Sequence, residues 1–245
     1  SIYGKIVEIS DKEIDLQEGD VWLINKEIGW TSFDAVKKIK NLLKQHHGIK
    51  KIKVGHAGTL DPLAEGLIVV CLGKSTKKIA EIQEQEKEYI AGLELGKTTP
   101  SFDLETEVDG TYGTGHIDLE KVQSALKLFT GKIHQIPPAY SAKKWQGKRA
   151  YEYARKGEEP ELKSVEVEIK DMEVIDFDNP TLKLKIVCGK GTYIRSLARD
   201  LGTALDSGAY LSALKRTRIG NYLLEDALTI QNLEEKIKQM KIRNV

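Results

Sequence analysis

The sequence predicts an α+β protein, and three observations carry the prediction. Leu67–Leu72 is an unbroken apolar run of strand length, the pattern of a strand buried on both faces. Val165, Val167 and Ile169, and then Leu182, Leu184 and Ile186, alternate with polar residues as half-buried strands do. Phe33, Val36, Ile39, Leu42 and Leu43 recur at helical spacing.

The remaining elements follow in chain order. Val21 to Asn25 reads as a strand. The turn Gly29-Trp30-Thr31-Ser32 offers a hydroxyl N-cap to the first helix, and Asp34 sits in its favourable first turn. That helix runs to about Leu43, with its lysines off the apolar stripe, facing solvent or a polyanion. Gln45 to Lys53 reads as a basic loop. Ser75 to Ile82 is a short helix, and Glu88 to Gly96 a strand with Tyr89, Ala91, Leu93 and Leu95 on one face. Lys97 to Gly115 is a turn-rich hairpin excursion. Asp118 to Phe129 is a helix capped by Gly131. Asp178-Asn179-Pro180 turns between the two alternating strands. Gly189 to Arg195 opens a helix through Leu201, and a short amphipathic helix ends the chain.

Composition narrows the class. The chain has 245 residues, 40% of them apolar, enough for one large domain or two small ones. No apolar run approaches the roughly 18–20 residues of a membrane-spanning helix. The N-terminus lacks a signal-peptide pattern, so a cytoplasmic protein is expected. Two cysteines, Cys71 and Cys188, sit in apolar runs and read as buried thiols rather than a disulfide or zinc site.

Net charge is only +1, but it is segregated. Between Val36 and Leu60 there is no acid, while Lys37, Lys38, Lys40, Lys44, Lys50, Lys51 and Lys53 fall there. Ala139 to Lys156 is basic again and interleaves Tyr140, Trp145, Tyr151 and Tyr153 with Lys143, Lys144, Lys148, Arg149 and Arg155. Aromatics among bases offer stacking faces and phosphate contacts together.

Between these basic tracts lies Lys53–Lys78, with Gly-Thr-Leu-Asp-Pro at its centre and glycines at 55, 58, 66 and 73. It reads as a carboxylate, Asp61, on a tight loop fixed by Pro62 and feeding a buried strand. On these residues alone an ordinary Asp-Pro turn is the stronger reading, since both residues favour turns for local reasons. No paired-carboxylate glycosidase is indicated around Asp61, no Gly-x-Ser-x-Gly is present, and no histidine spacing suggests zinc. A lone carboxylate can act as a nucleophile or a base. Gly189–Arg195 lacks the lysine and spacing of a P-loop.

Four blocks carry a resemblance to the TruB family of tRNA pseudouridine synthases, covering about Asp20 to Thr229. They are NKEIGWTSFDAV (Asn25–Val36), VGHAGTLDPLAEGLIVVCLGKSTK (Val54–Lys77), IPPAYSAKKWQGKRAYEYARKG (Ile136–Gly157) and GKGTYIRSLARDLG (Gly189–Gly202). The second is highly specific. The resemblance implies a bent, mixed, largely antiparallel sheet flanked by helices, with a thumb-like RNA-binding insertion at 136–157. It implies one catalytic domain over 1–229 and a short helical tail over 230–245, with no full PUA domain.

By the same resemblance Asp61 is the nucleophile that detaches uracil from ribose. Tyr89 stacks on the target base and takes part in proton transfer, and Arg195 pairs with the aspartate. His56 stacks within the rearranged RNA loop, Leu214 packs under the flipped base, Lys26 makes a structural or phosphate contact, and Tyr193 belongs with the substrate-binding residues. Lys143, Trp145, Lys148 and Arg149 of the thumb grip RNA. The expected reaction converts uridine 55 of the tRNA T-loop to pseudouridine, by base flipping and without metal or cofactor. The expected partner is tRNA alone, gripped by a monomer without guide RNA or protein. A second reading is a tRNA-folding chaperone whose modification activity is secondary. Thr98–Thr106 fits the family's Thr-x-Thr-x-Asp pattern loosely, which weakens the case for Asp103.

Overall fold

The structure, a computed structural model, describes residues 13–139, 144–145, 148–149 and 162–243. In chain order the elements begin with β1 (Asp20–Lys26), α1 (Ser32–His47), β2 (Val54–Ala57) and β3 (Glu65–Leu72). A 3-10 turn (Gly73–Lys78) leads into α2 (Ile79–Gln83) and β4 (Lys87–Leu95). The hairpin β5 (Lys97–Thr98) and β6 (Gly110–Thr111) precedes α3 (Leu119–Leu128) and β7 (Gly131–Gln135). Lys144–Trp145 (β8) and Lys148–Arg149 (β9) pair antiparallel. Then come β10 (Val165–Asp178), β11 (Thr181–Cys188), α4 (Ile194–Ala204) and β12 (Ala209–Ile219). Last are β13 (Tyr222–Leu223), β14 (Leu228–Thr229) and α5 (Ile230–Gln239). Among the described residues no helix is long and apolar enough to cross a membrane.

The chain forms two compact units. One holds residues up to Lys87 together with Lys215 onward, and the other holds Glu88–Leu214. In the first, β1 pairs antiparallel with β3 along its whole length and parallel with β14. The other edge of β3 takes β2 antiparallel at Val69–Leu72 and β12 parallel at Glu65 and Gly66. With both edges paired, every residue of β3 from Gly66 to Leu72 is buried, as its unbroken apolar run predicts. Leu23, Ala57, Leu67, Val69, Cys71, Ile82 and Ile219 form the core around it. Gly66 permits the β12 pairing. Its φ is +109°, and a Cβ there would lie 2.3 Å from the Arg216 carbonyl oxygen.

Helix α1 begins with a full capping box. The Thr31 hydroxyl accepts from the Asp34 amide while the Asp34 carboxylate accepts from the Thr31 amide, both at 2.9 Å. It runs four residues past Leu43 before Gly48 closes it in a left-handed conformation, so the first three residues of the expected basic loop are helix. Ala35, Val36, Ile39, Leu42 and Leu43 are buried, but Phe33 is 67% exposed. The buried face begins in the first turn with Ser32 and Ala35, and Phe33, about 120° round the helix from Ile39, lies off it.

In the second unit β4, β11, β10 and β7 lie side by side in that order. Strand β4 alternates buried and half-buried residues throughout, with Tyr89, Ala91, Leu93 and Leu95 on the buried face as predicted. The β10–β11 hairpin turns at Asn179–Pro180, a cis peptide. Helix α3 packs against α4 and β10. Gly131 is not its cap. Phe129 occupies that position, and Gly131, at φ +99°, starts β7. Cys71 and Cys188 are buried free thiols, and burial raises the Cys71 pKa to about 11.

Candidate active site

Asp61 sits on a loop gripped from three sides by the first unit. Its own backbone closes a turn: the Ala64 amide donates to the Asp61 carbonyl at 2.9 Å, and Pro62 supplies the fixed φ at the second position. The β1–α1 turn holds the loop from a second side. The Gly29 amide donates to the Pro62 carbonyl at 2.7 Å, and the Leu60 amide donates to the buried Ser32 hydroxyl at 3.0 Å. From a third side comes Arg216 on β12.

Arg216 is a guanidinium only 1% exposed. Its Nε donates to the Leu67 carbonyl at 2.8 Å, Nη2 to Gly58 at 3.1 Å and Nη1 to Thr59 at 3.5 Å. One planar fork thus ties the start of β3 to the two residues that lead into Asp61. The sequence reading missed Arg216. The burial pattern of β12 is not period-2, and an arginine beside Lys215 reads as solvated surface.

Lys26 lies near the same loop and is also 1% exposed. Its ammonium donates to the Glu27 carbonyl at 2.9 Å and the Trp30 carbonyl at 2.6 Å, bracing the turn before α1. Of the two expected roles for Lys26, structural brace or phosphate contact, the buried ammonium and its two carbonyl partners favour the brace. Burial lowers its pKa to about 8, against the opposing pull of Asp61 first and Glu65 second. The folded pKa lies below the unfolded one, so in the window from about 8 to about 10.5 the unfolded chain binds more proton and stability rises with pH. Lys26→Met is expected to abolish that gain, of about 1–3 kcal/mol. Urea unfolding of both proteins at about pH 7 and pH 10 measures it, and an identical rise in the variant would refute the buried-ammonium assignment.

His56, on β2, is half-buried, with its Nδ1 sealed from solvent. Burial first, and the Arg216 charge second, push its pKa down, which favours the neutral ring.

The second unit holds Tyr89, Arg195, Tyr193 and Leu214. Tyr89 is on the buried face of β4 and Leu214 is half-buried on β12. Arg195 stands in the first turn of α4 and is buried. Its approach turn is locked. The fully buried Gln135 side chain accepts from the Tyr193 amide at 3.0 Å and donates to the Tyr193 carbonyl at 3.2 Å, and the Thr192 hydroxyl donates to Gly189 at 2.9 Å. Tyr193 is half-buried.

Arg195 Nη1 lies 3.9 Å from Oδ2 of Asp103, an equally buried carboxylate. The other Asp103 oxygen accepts from the Ser101 hydroxyl at 2.6 Å and the Glu105 amide at 2.9 Å. Phe102 adopts φ +64° to make this turn, its ring under the Arg199 guanidinium at 4.5 Å. The loosely matching Thr98–Thr106 segment therefore carries a buried acid aimed at the motif arginine. Only the partner, distant in sequence, reveals it. Lys143 and the side chains of Trp145, Lys148 and Arg149, expected to grip RNA, lie outside the described residues. Among the described residues no group of histidine, cysteine and acidic side chains could hold a metal ion.

Comparison with known proteins places this geometry. The family profile "TruB family pseudouridylate synthase (N terminal domain)" matches residues 40–194, and "tRNA pseudouridylate synthase B C-terminal domain" matches residues 195–244. The chain is 53% identical over 232 residues to a tRNA pseudouridine synthase B of Phocaeicola vulgatus, covering 95% of this chain and 99% of that one. It is 51% identical over 235 residues to the protein of that name from Bacteroides thetaiotaomicron, covering 94% and 98%. Among solved structures, one of a Cbf5-Nop10-Gar1 complex is similar at TM-score 0.69 and 29% identity, covering 90% of this chain. This chain spans 54% of that larger one. A structure of an H/ACA RNP bound to a substrate RNA is similar at TM-score 0.65 and 26% identity, covering 94% of this chain and 55% of the other. The likeness to the synthases runs through both compact units and nearly from end to end, and the chain belongs to the TruB family of pseudouridylate synthases.

Proposed function

We propose that this chain converts uridine to pseudouridine at position 55 in the T-loop of tRNA, in the cytoplasm, without guide RNA or accessory protein. The observation that carries the reading is the rigid Asp61 loop. A carboxylate that must meet one carbon of a flipped nucleoside has to be held in place beforehand, and Arg216, the β1–α1 turn and Pro62 hold its backbone from three directions. The identity of about half over nearly the full length of the bacterial relatives supports tRNA as substrate.

The reaction is an isomerisation. Asp61 serves as the nucleophile: its oxygen bonds C1′ as the N1–C1′ bond breaks, and the released uracil turns and forms a C5–C1′ bond as the Asp61–C1′ bond breaks and the carboxylate is regenerated. The hydrogen on C5 leaves as a proton and N1 ends protonated, so atoms balance without an oxidant or cofactor. Tyr89 stacks on the turning base and takes part in moving that proton. Arg195, whose turn Gln135 sets and which lies 3.9 Å from Asp103, is assigned the cationic role in the reaction. Flipping the base out of the folded loop needs stacking surfaces to receive it, a part assigned to Tyr89 and Leu214, with His56 stacking within the rearranged RNA loop.

The C5 hydrogen supplies the assay. Unmodified tRNA labelled with tritium at C5 of uridine should lose one tritium per molecule to water. A U55→C transcript should lose none, and a bare T-arm stem-loop should suffice as substrate. Absence of release from the unmodified tRNA, or release unaffected by U55→C, would overturn the proposal.

A further inference from the structure

Helix α1 carries a face that the core does not use. At about 100° per residue, Phe33, Lys37, Lys40 and Lys44 fall within an arc of about 60°. All four are exposed, while the buried face of Ala35, Val36, Ile39, Leu42 and Leu43 points elsewhere. Among the described residues, no carboxylate oxygen lies within ion-pair distance of the three lysines. Asp34, the one acid of the helix, has its carboxylate held by the Thr31 amide, and the Lys37 charge reaches it only as a minor influence lowering its pKa. The stripe is therefore a positive strip about 10 Å long, from Lys37 to Lys44, ending in an aromatic ring held in solvent.

The aromatic end adjoins the Asp61 loop. Ser32, next to Phe33, binds the Leu60 amide, and Gly29, next to Ile28, donates to Pro62, next to Leu63. Ile28 and Leu63 are 58% and 41% exposed, so apolar side chains rim the segments that carry Asp61.

We propose that this face is a track for the substrate RNA, with Phe33 stacking on an unpaired base and Lys37, Lys40 and Lys44 following the phosphates of the strand that leads away from the target nucleotide. It rests on the reading that tRNA is the substrate, and extends it to a surface outside the thumb and the catalytic groups. A polyanion is the occupant that charge selects: three unpaired ammonium groups in line repel a basic partner. At about 3.4 Å per base step, 10 Å spans about three phosphates of a stacked strand. A terminal aromatic is the usual companion of such a groove, because every base has a face to stack.

The full chain and an unmodified tRNA transcript provide the test, with affinity measured between about 50 and 200 mM salt. The triple variant Lys37→Gln, Lys40→Gln, Lys44→Gln keeps good helix formers at exposed positions and should melt as the wild type does. Its slope of log affinity against log salt should fall by about 2, at about 0.7 per phosphate. Phe33→Ser should keep the wild-type slope and bind about tenfold more weakly at every salt concentration. A folded triple variant with the wild-type slope overturns the proposal, as does a Phe33→Ser protein that binds with wild-type affinity. The outcome is separable from the reaction itself: a chain that tracks RNA this way yet releases no tritium overturns the proposed reaction and leaves the track standing.

Discussion

Asp61→Asn is expected to reduce tritium release to background, a loss of about four orders of magnitude or more. The amide has the shape of the carboxylate but no anionic oxygen to attack carbon. The bonds that set the loop run to its backbone, at Gly58, Thr59, Leu60 and Pro62, so the substitution leaves them in place. The fold should survive at neutral pH, at a cost set mainly by removing the charge that supports the buried Lys26 ammonium. Affinity for tRNA should also survive. The electrostatics give an independent readout. Among the charges around Lys26, Asp61 does most to hold its pKa up against burial, so the variant's lysine should lose its proton at still lower pH than about 8. Turnover within tenfold of wild type would remove Asp61 from the chemistry. Loss of turnover accompanied by loss of fold would leave its role to be tested by Asp61→Glu, which keeps the charge, displaces it by one carbon and should also be inactive.

Much of the scaffold for this site is legible in the residues, because it rests on local rules. The Thr31–Asp34 capping box, the apolar run of β3 and the alternation of β4 each lie within a window of a few residues. The glycines and Pro62 around Asp61 mark a tight loop, but on those residues alone an ordinary turn is the stronger reading, and the family resemblance is what singles the aspartate out. What escapes is whatever depends on a partner far along the chain. Strand β2 is four residues, Val-Gly-His-Ala, and is a strand only because β3 offers it an edge. Strand β12 buries Ala209, Leu211, Arg216 and Ile219, a spacing that neither helical nor strand periodicity selects. Asp103 is an ordinary loop acid until Arg195 is beside it. Phe33 fails in the opposite direction. It stands three residues before Val36, but at about 100° per residue it falls on the Lys37–Lys44 face of α1, opposite Leu42, and its ring is in solvent.

Arg216→Met tests whether the guanidinium fork positions Asp61 or only fills space. Methionine retains much of the volume but leaves the Leu67, Gly58 and Thr59 carbonyls without their donor in a buried setting. A loss of about 2–4 kcal/mol of stability is expected, less than the sum over three carbonyls because a buried charge disappears with them. The larger effect should fall on catalysis. The loop that carries Asp61 loses one of its three supports, and a displacement of about 1 Å at a reacting group is enough for a loss of about 100-fold in kcat. Affinity for tRNA should change little. Arg216→Lys preserves the charge but can reach one carbonyl well instead of two or three, so it should recover stability more than turnover. The His56 imidazole reports the charge separately. Arg216 holds its pKa down, so the pKa should rise in the methionine variant and return in the lysine variant, as a proton-resonance titration would show. A methionine variant that is less stable but turns over at the wild-type kcat would make Arg216 a packing residue and nothing more.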